Sequence, residues 1–113
     1  MIHIINKTLN GIIFKCSRCN KIHIGFKNLN FNFSEQEFKS FASYIKGIDG
    51  LYWECVNNET IFERKIRIAT GIHTFNILLS NDELEELKAL LSTSGVSVKK
   101  NVLNDLCLHH HLN

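Results

Sequence analysis

Two stretches of the chain carry the same pattern of apolar and polar positions. LNFNFSEQEFKSFASYI, residues 29–45, and FNILLSNDELEELKALL, residues 75–91, align without a gap. Ser34 falls on Ser80, Glu37 on Glu83, and Phe38, Phe41 and Ile45 on Leu84, Leu87 and Leu91. Each is an alternating run, then a serine, then apolar positions three and four apart. That spacing puts one apolar stripe on a helix. The serine begins the pattern S-x-x-E, in which the hydroxyl takes the third amide of the helix and the glutamate reaches back. The pattern predicts helices over about 35–46 and 81–92.

Upstream, GIIFKC at residues 11–16 resembles GLYWEC at residues 50–55 in length and in its final cysteine. The segments between alternate as strands do, with Ile22, Ile24 and Phe26 set against Lys21 and His23, and Phe62, Ile66 and Ile68 set against Glu63, Lys65 and Arg67. Asn10-Gly11 reads as a tight turn after an added first strand over residues 2–8, and Thr70-Gly71 as a turn in the second copy. The expected fold is therefore α+β. It is an internally duplicated strand-strand-strand-helix unit, with one largely antiparallel sheet and two helices on one face. Residues 1–113 read as a single domain: repeat A about 11–46, repeat B about 50–92 and an extra segment 95–113. In that segment Val102, Leu103, Leu106 and Cys107 form an apolar stripe at helical spacing.

Composition changes this picture little. A chain of 113 residues with 44% apolar content can bury a core without disulfides. No apolar run approaches a membrane span, and MIHIINKTLNG lacks the features of a signal peptide. The expected location is the cytoplasm, where the four cysteines stay reduced. Charge is uneven despite a net +2: residues 1–34 hold Lys7, Lys15, Arg18, Lys21 and Lys27 and no acid. The later part of the chain holds more acids than bases, so the two are expected to neutralise one another on folding.

The candidate chemistry centres on Cys16-Ser17-Arg18-Cys19. A C-x-x-C turn is half of a structural zinc site, which takes two further ligands from elsewhere. His23, Cys55, His73 and Cys107 are the available completions. The strand pattern places Cys55 as the counterpart of Cys16, and His73 at the head of a strand with Phe75, Ile77 and Leu79 inward. His23 falls on the solvent side of its strand. The best metal set is thus Cys16, Cys19, Cys55 and His73. The alternative is that these cysteines pack as small apolar residues, with no cofactor at all. A redox role fits less well, because the pair lies between two strands and not at a helix N-terminus. The triple histidine His109 to His111 is a chain-end metal binder or a solvated segment.

GIIFKCSRCNKIHIGF, FSEQEF, ERKIRIATG and FNILLSNDELEELKALL, in that order, resemble a small family found mainly in Bacteroidetes and catalogued only as a domain of unknown function. The resemblance covers roughly residues 11–92. Asn20 stands where zinc-knuckle sequences often have glycine. The resemblance implies a bacterial, intracellular, single-domain protein and supplies no activity.

The chain has no glycine-rich phosphate loop, no H-E-x-x-H and no G-x-S-x-G. Glu35, Glu37, Asp82 and Glu83 lie in first helical turns, where acids complement the helix dipole. The leading expectation is a non-enzymatic cytoplasmic interaction module, binding a protein partner or a second copy as a homodimer through the outer sheet face or an exposed edge. The second is a basic, zinc-stabilised nucleic-acid binder contacting phosphates through Lys15, Arg18, Lys21, Arg64 and Arg67. The third is a thiol or metal enzyme using Cys16 and Cys19.

Overall fold

The computed structural model describes residues 2–92. The apolar stripe expected at Val102, Leu103, Leu106 and Cys107 and the triplet His109 to His111 lie outside the described residues. In chain order the elements are β1 (Ile2–Thr8), β2 (Gly11–Cys16), β3 (Ile22–Phe26), β4 (Leu29–Phe33), α1 (Glu35–Lys46), α2 (Gly50–Val56), β5 (Ile66–Ala69), β6 (Asn76–Leu79) and α3 (Asn81–Leu91). The fold is α+β, but the strands form two sheets where the sequence suggested one. Among the described residues a four-stranded antiparallel sheet runs in the order β1-β2-β3-β4, and β5 pairs only with β6. There are three helices, not two, among the described residues.

The chain divides into two compact units. Residues 2–47 with 86–92 make the first, residues 48–85 the second, and α3 gives its first turns to the second unit and its later turns to the first.

In the first unit, alternation along β3 puts Ile22, Ile24 and Phe26 in the core beside Ile13 of β2. Ala42 and Ile45 of α1 and Leu87, Leu90 and Leu91 of α3 are buried in the same unit. Phe31 and Phe33 of β4 meet Phe41 of α1 at centroid distances of 5.0 and 5.1 Å. Helix α1 starts as the sequence predicts. The Ser34 hydroxyl accepts from the Glu37 amide at 3.1 Å, and the Ser34 amide donates to the Glu37 carboxylate at 2.8 Å. These bonds, with Lys21 nearby, hold the Glu37 carboxyl below its ordinary range.

The β1–β2 turn is Leu9-Asn10, one residue earlier than expected, and Gly11 is already paired with Thr8. Between Ile4 and Asn6 the register slips by one residue at a β-bulge. A one-residue slip exchanges the two faces of a strand. Ile2 and Ile4 lie opposite Cys16 and Phe14, on the face away from the core, whereas Asn6 and Thr8 lie opposite the core-side Ile13 and Gly11. The bulge therefore aims Asn6 at the end of α3, where its Nδ2 donates to the carbonyls of Ala89, Leu90 and Ser92 at 3.2, 2.9 and 3.2 Å. The last carbonyls of a helix have no partner within it. Asn6→Ala is expected to cost about 1–2 kcal/mol in urea denaturation, since it strips this cap from three acceptors at once.

In the second unit, GLYWEC is a helix and not a strand. Asp49 caps it, its carboxylate accepting from the Tyr52 amide at 3.1 Å. Gly50, Leu51, Glu54 and Cys55 then fall on its less exposed side, a helical period that a six-residue apolar run does not reveal. A β-carbon on Gly50 would lie 2.6 Å from Leu84 Cδ2 and 3.0 Å from Ile66 Cδ1, so the helix start packs closely on side chains that would have to shift to admit one. The upstream half of the proposed duplication thus fails, while β4–α1 and β6–α3 share the strand, serine and capped helix. Phe62 and Phe75, expected inward, are 56% and 55% exposed and lie outside β5 and β6. Gly71, at φ 89°, takes the left-handed conformation that the β5–β6 connection requires. Among the described residues no helix is long and apolar enough to cross a membrane.

Candidate functional site

The β2–β3 connection holds the cysteine pair. The Asn20 amide donates to the Cys16 carbonyl at 3.1 Å, closing the turn, and Asn20 has φ 54°. Asparagine tolerates this left-handed conformation better than most residues, so it serves where glycine would be usual. Cys16 ends β2 half-buried, and Cys19 is exposed on the turn.

Cys19 Sγ lies 3.2 Å from His23 Nε2. On the other side of the ring, His23 Nδ1 lies 2.5 Å from Asn32 Oδ1. Phe14 stacks on the imidazole with centroids 4.9 Å apart and planes 22° from parallel. The sheet register builds this arrangement: Ile4 is opposite Phe14, Phe14 opposite His23, and His23 opposite Asn32. An amide oxygen only accepts, so Nδ1 carries the ring hydrogen and Nε2 presents its lone pair to the thiol. A thiol, an imidazole and an amide in line have the geometry of a nucleophile, its base and the group that orients the base.

The residues expected to bind zinc are placed as follows. Cys16 and Cys19 belong to the first unit, Cys55 and His73 to the second. Cys55 is in α2, so it is not the strand-end counterpart of Cys16. His73 is exposed in the β5–β6 connection and does not begin a strand, since β6 starts at Asn76. Among the described residues no three His, Cys, Asp or Glu side chains gather where they could hold a metal. His23, read from the sequence as solvent-side, is on that side, and it is there that it meets Cys19.

The basic residues are similarly divided. Lys15, Arg18 and Lys21 lie in or beside the cysteine turn, and Arg67 is exposed on β5. Arg64 and Lys65 precede β5 and do not line it. Arg64 Nε and Nη2 donate to the Glu83 carboxylate at 2.7 and 3.0 Å, and that hydrogen bond and charge raise its pKa further. Lys65 Nζ donates to the Thr60 carbonyl at 2.7 Å. Tyr52 is exposed on α2 and meets Trp53 edge to face at 5.2 Å.

Sequence reasoning did not single out Asn32. The signal was present: with Lys27-Asn28 as a two-residue turn, counting back along both strands puts residue 32 opposite residue 23. No curated protein and no solved structure matches the chain. A family model does match it, over residues 1–113, and the chain belongs to that family, the family of unknown function DUF6686.

Proposed function

We propose that this protein is an interaction module of the reducing cytoplasm, and that its docking surface is the β1 corner of the four-stranded sheet. The observation that carries this reading is the exposure of Ile2 and Ile4, at 63% and 55%, on an edge strand. Edge strands of stable monomers are commonly guarded by charges, proline or a covering segment. From Ile2 to Ile5 the only polar residue is His3, and the bulge begins only after Ile4. The free thiols Cys16, Cys19 and Cys55 suit a reducing compartment.

The occupant is a second copy of the chain. Two β1 strands meeting antiparallel about a two-fold axis present the same edge to each other, so Ile2 of one faces Ile4 of the other. In that register His3 faces His3 across the axis, no lysine, arginine or acid opposes its own kind, and each isoleucine pair removes apolar surface from water at about 25 cal/mol per Å². Sedimentation over a concentration series tests this, with Ile4→Lys as the variant. The expected result is a dimer that becomes monomeric in Ile4→Lys without loss of folding, because the side chain is exposed. A wild-type chain that stays monomeric at high concentration, or a dimer indifferent to Ile4→Lys, overturns the reading.

A further inference from the structure

The geometry points to Cys19 as a thiol–disulfide exchange site, with His23 as its base and Asn32 as the residue that positions the base, taking a small anionic disulfide. This goes beyond the docking surface and does not depend on it. Three placements carry it. The thiol is exposed, so a small disulfide reaches it. Its sulfur is 3.2 Å from an imidazole nitrogen whose lone pair faces it, because Asn32 Oδ1 occupies the opposite nitrogen. The ring is clamped against rotation by Phe14, stacked at 4.9 Å.

The step balances without a further reactant. As Cys19 Sγ attacks one sulfur of the disulfide, its proton passes to His23 Nε2. The substrate S–S bond breaks, a new S–S bond joins Cys19 to half of the substrate, and the departing sulfur takes the proton from His23 and leaves as a thiol. Cys19 sulfur is oxidised and the departing sulfur reduced. Attack on a disulfide builds no tetrahedral oxyanion, so the nucleophile, base and positioning group suffice, whereas acyl transfer would need oxyanion donors as well. Charge selects the substrate: Lys15, Arg18 and Lys21 lie in or beside the turn, which favours an anionic partner.

Glutathione disulfide is the probe, with modification of each cysteine followed by peptide mapping. Cys16 and Cys55 in the same chain are internal references. Cys19 is expected to react first, to slow by about tenfold or more in His23→Gln, and to slow in Asn32→Leu but recover in Asn32→Asp, which restores the acceptor. If His23→Gln unfolded the turn, Cys16 would gain reactivity while Cys19 lost none, and the Asn32 pair would then decide. A Cys19 rate unchanged by His23→Gln and by Asn32→Leu overturns the proposal. So does a rate at Cys19 no greater than at Cys55.

Discussion

Glu83→Ala is expected to lower stability by about 2–4 kcal/mol, the largest effect of a single side chain outside the apolar core. Glu83 is 8% exposed. Its carboxylate accepts from Arg64 Nε and Nη2 and from the Ser80 amide at 2.8 Å, so one group closes a bidentate ion pair and a capping box. Its own amide donates to Ser80 Oγ at 3.2 Å, and that half of the box survives the substitution. Removal leaves the Ser80 amide in a half-buried place without its acceptor. Arg64, with half its side chain exposed, can rehydrate, which keeps the cost below that of stranding a fully buried charge. In urea the midpoint is expected to fall by roughly 1–2 M with an unchanged slope. Arg64→Met added to Glu83→Ala should cost little more, since its partner is already gone. A shift below about 0.5 kcal/mol would show that this carboxylate is not what fixes the start of α3.

Glu86 has the second largest expected effect, and its effect depends on pH. Its carboxylate accepts from Thr8 Oγ1 at 2.8 Å, the Asn10 amide at 2.7 Å and Asn10 Nδ2 at 2.8 Å, joining the β1–β2 turn to α3 within the first unit. Burial pushes its pKa up, but the hydrogen bonds from Asn10 and Thr8 and the charge of Lys27 outweigh it, and the group ends below its ordinary 4.5. A carboxylate with a depressed folded pKa stabilises fully above its unfolded value and loses that contribution as pH falls through the folded one. Glu86→Gln should therefore cost about 1–2 kcal/mol at pH 7, discounted for its partial exposure. The gap to wild type should be constant from neutral pH to about 5 and close below 4.5 as the native carboxylate protonates. Equal acid sensitivity in the two proteins would exclude Glu86 as the linked group.

The elements legible in the sequence were those whose cause is local. Helices α1 and α3 were bounded to within a residue, because Ser34 with Glu37 and Ser80 with Glu83 begin them and a 3.6-residue apolar period follows. Strand β3 was legible from alternation, and β1 from a turn read at Asn10-Gly11, one residue later than it lies. The segment 50–55 was misread because a six-residue apolar run suits either a strand or a helix. Asp49 is the cap that would have decided it. Phe62 and Phe75 were misassigned for a related reason, since alternation was extended beyond the strand ends.

Half of the candidate site was legible. Cys19 was singled out for its spacing to Cys16, and His23 was placed on the correct face. Spacing within the chain, however, could not say that the Cys19 turn folds back over that face, or that Asn32 arrives beside the ring from β4.

By itself, then, the sequence determined the α+β class, the capped helices and the alternation of β3, because those follow from contacts within a few residues. Only the tertiary structure decided the separation into two sheets and the bulge that turns Asn6 toward the end of α3. It alone also decided the meeting of Cys19, His23 and Asn32. Each of these depends on which strand lies opposite which residue, and a one-residue change of register would have turned every one of those side chains to the other face.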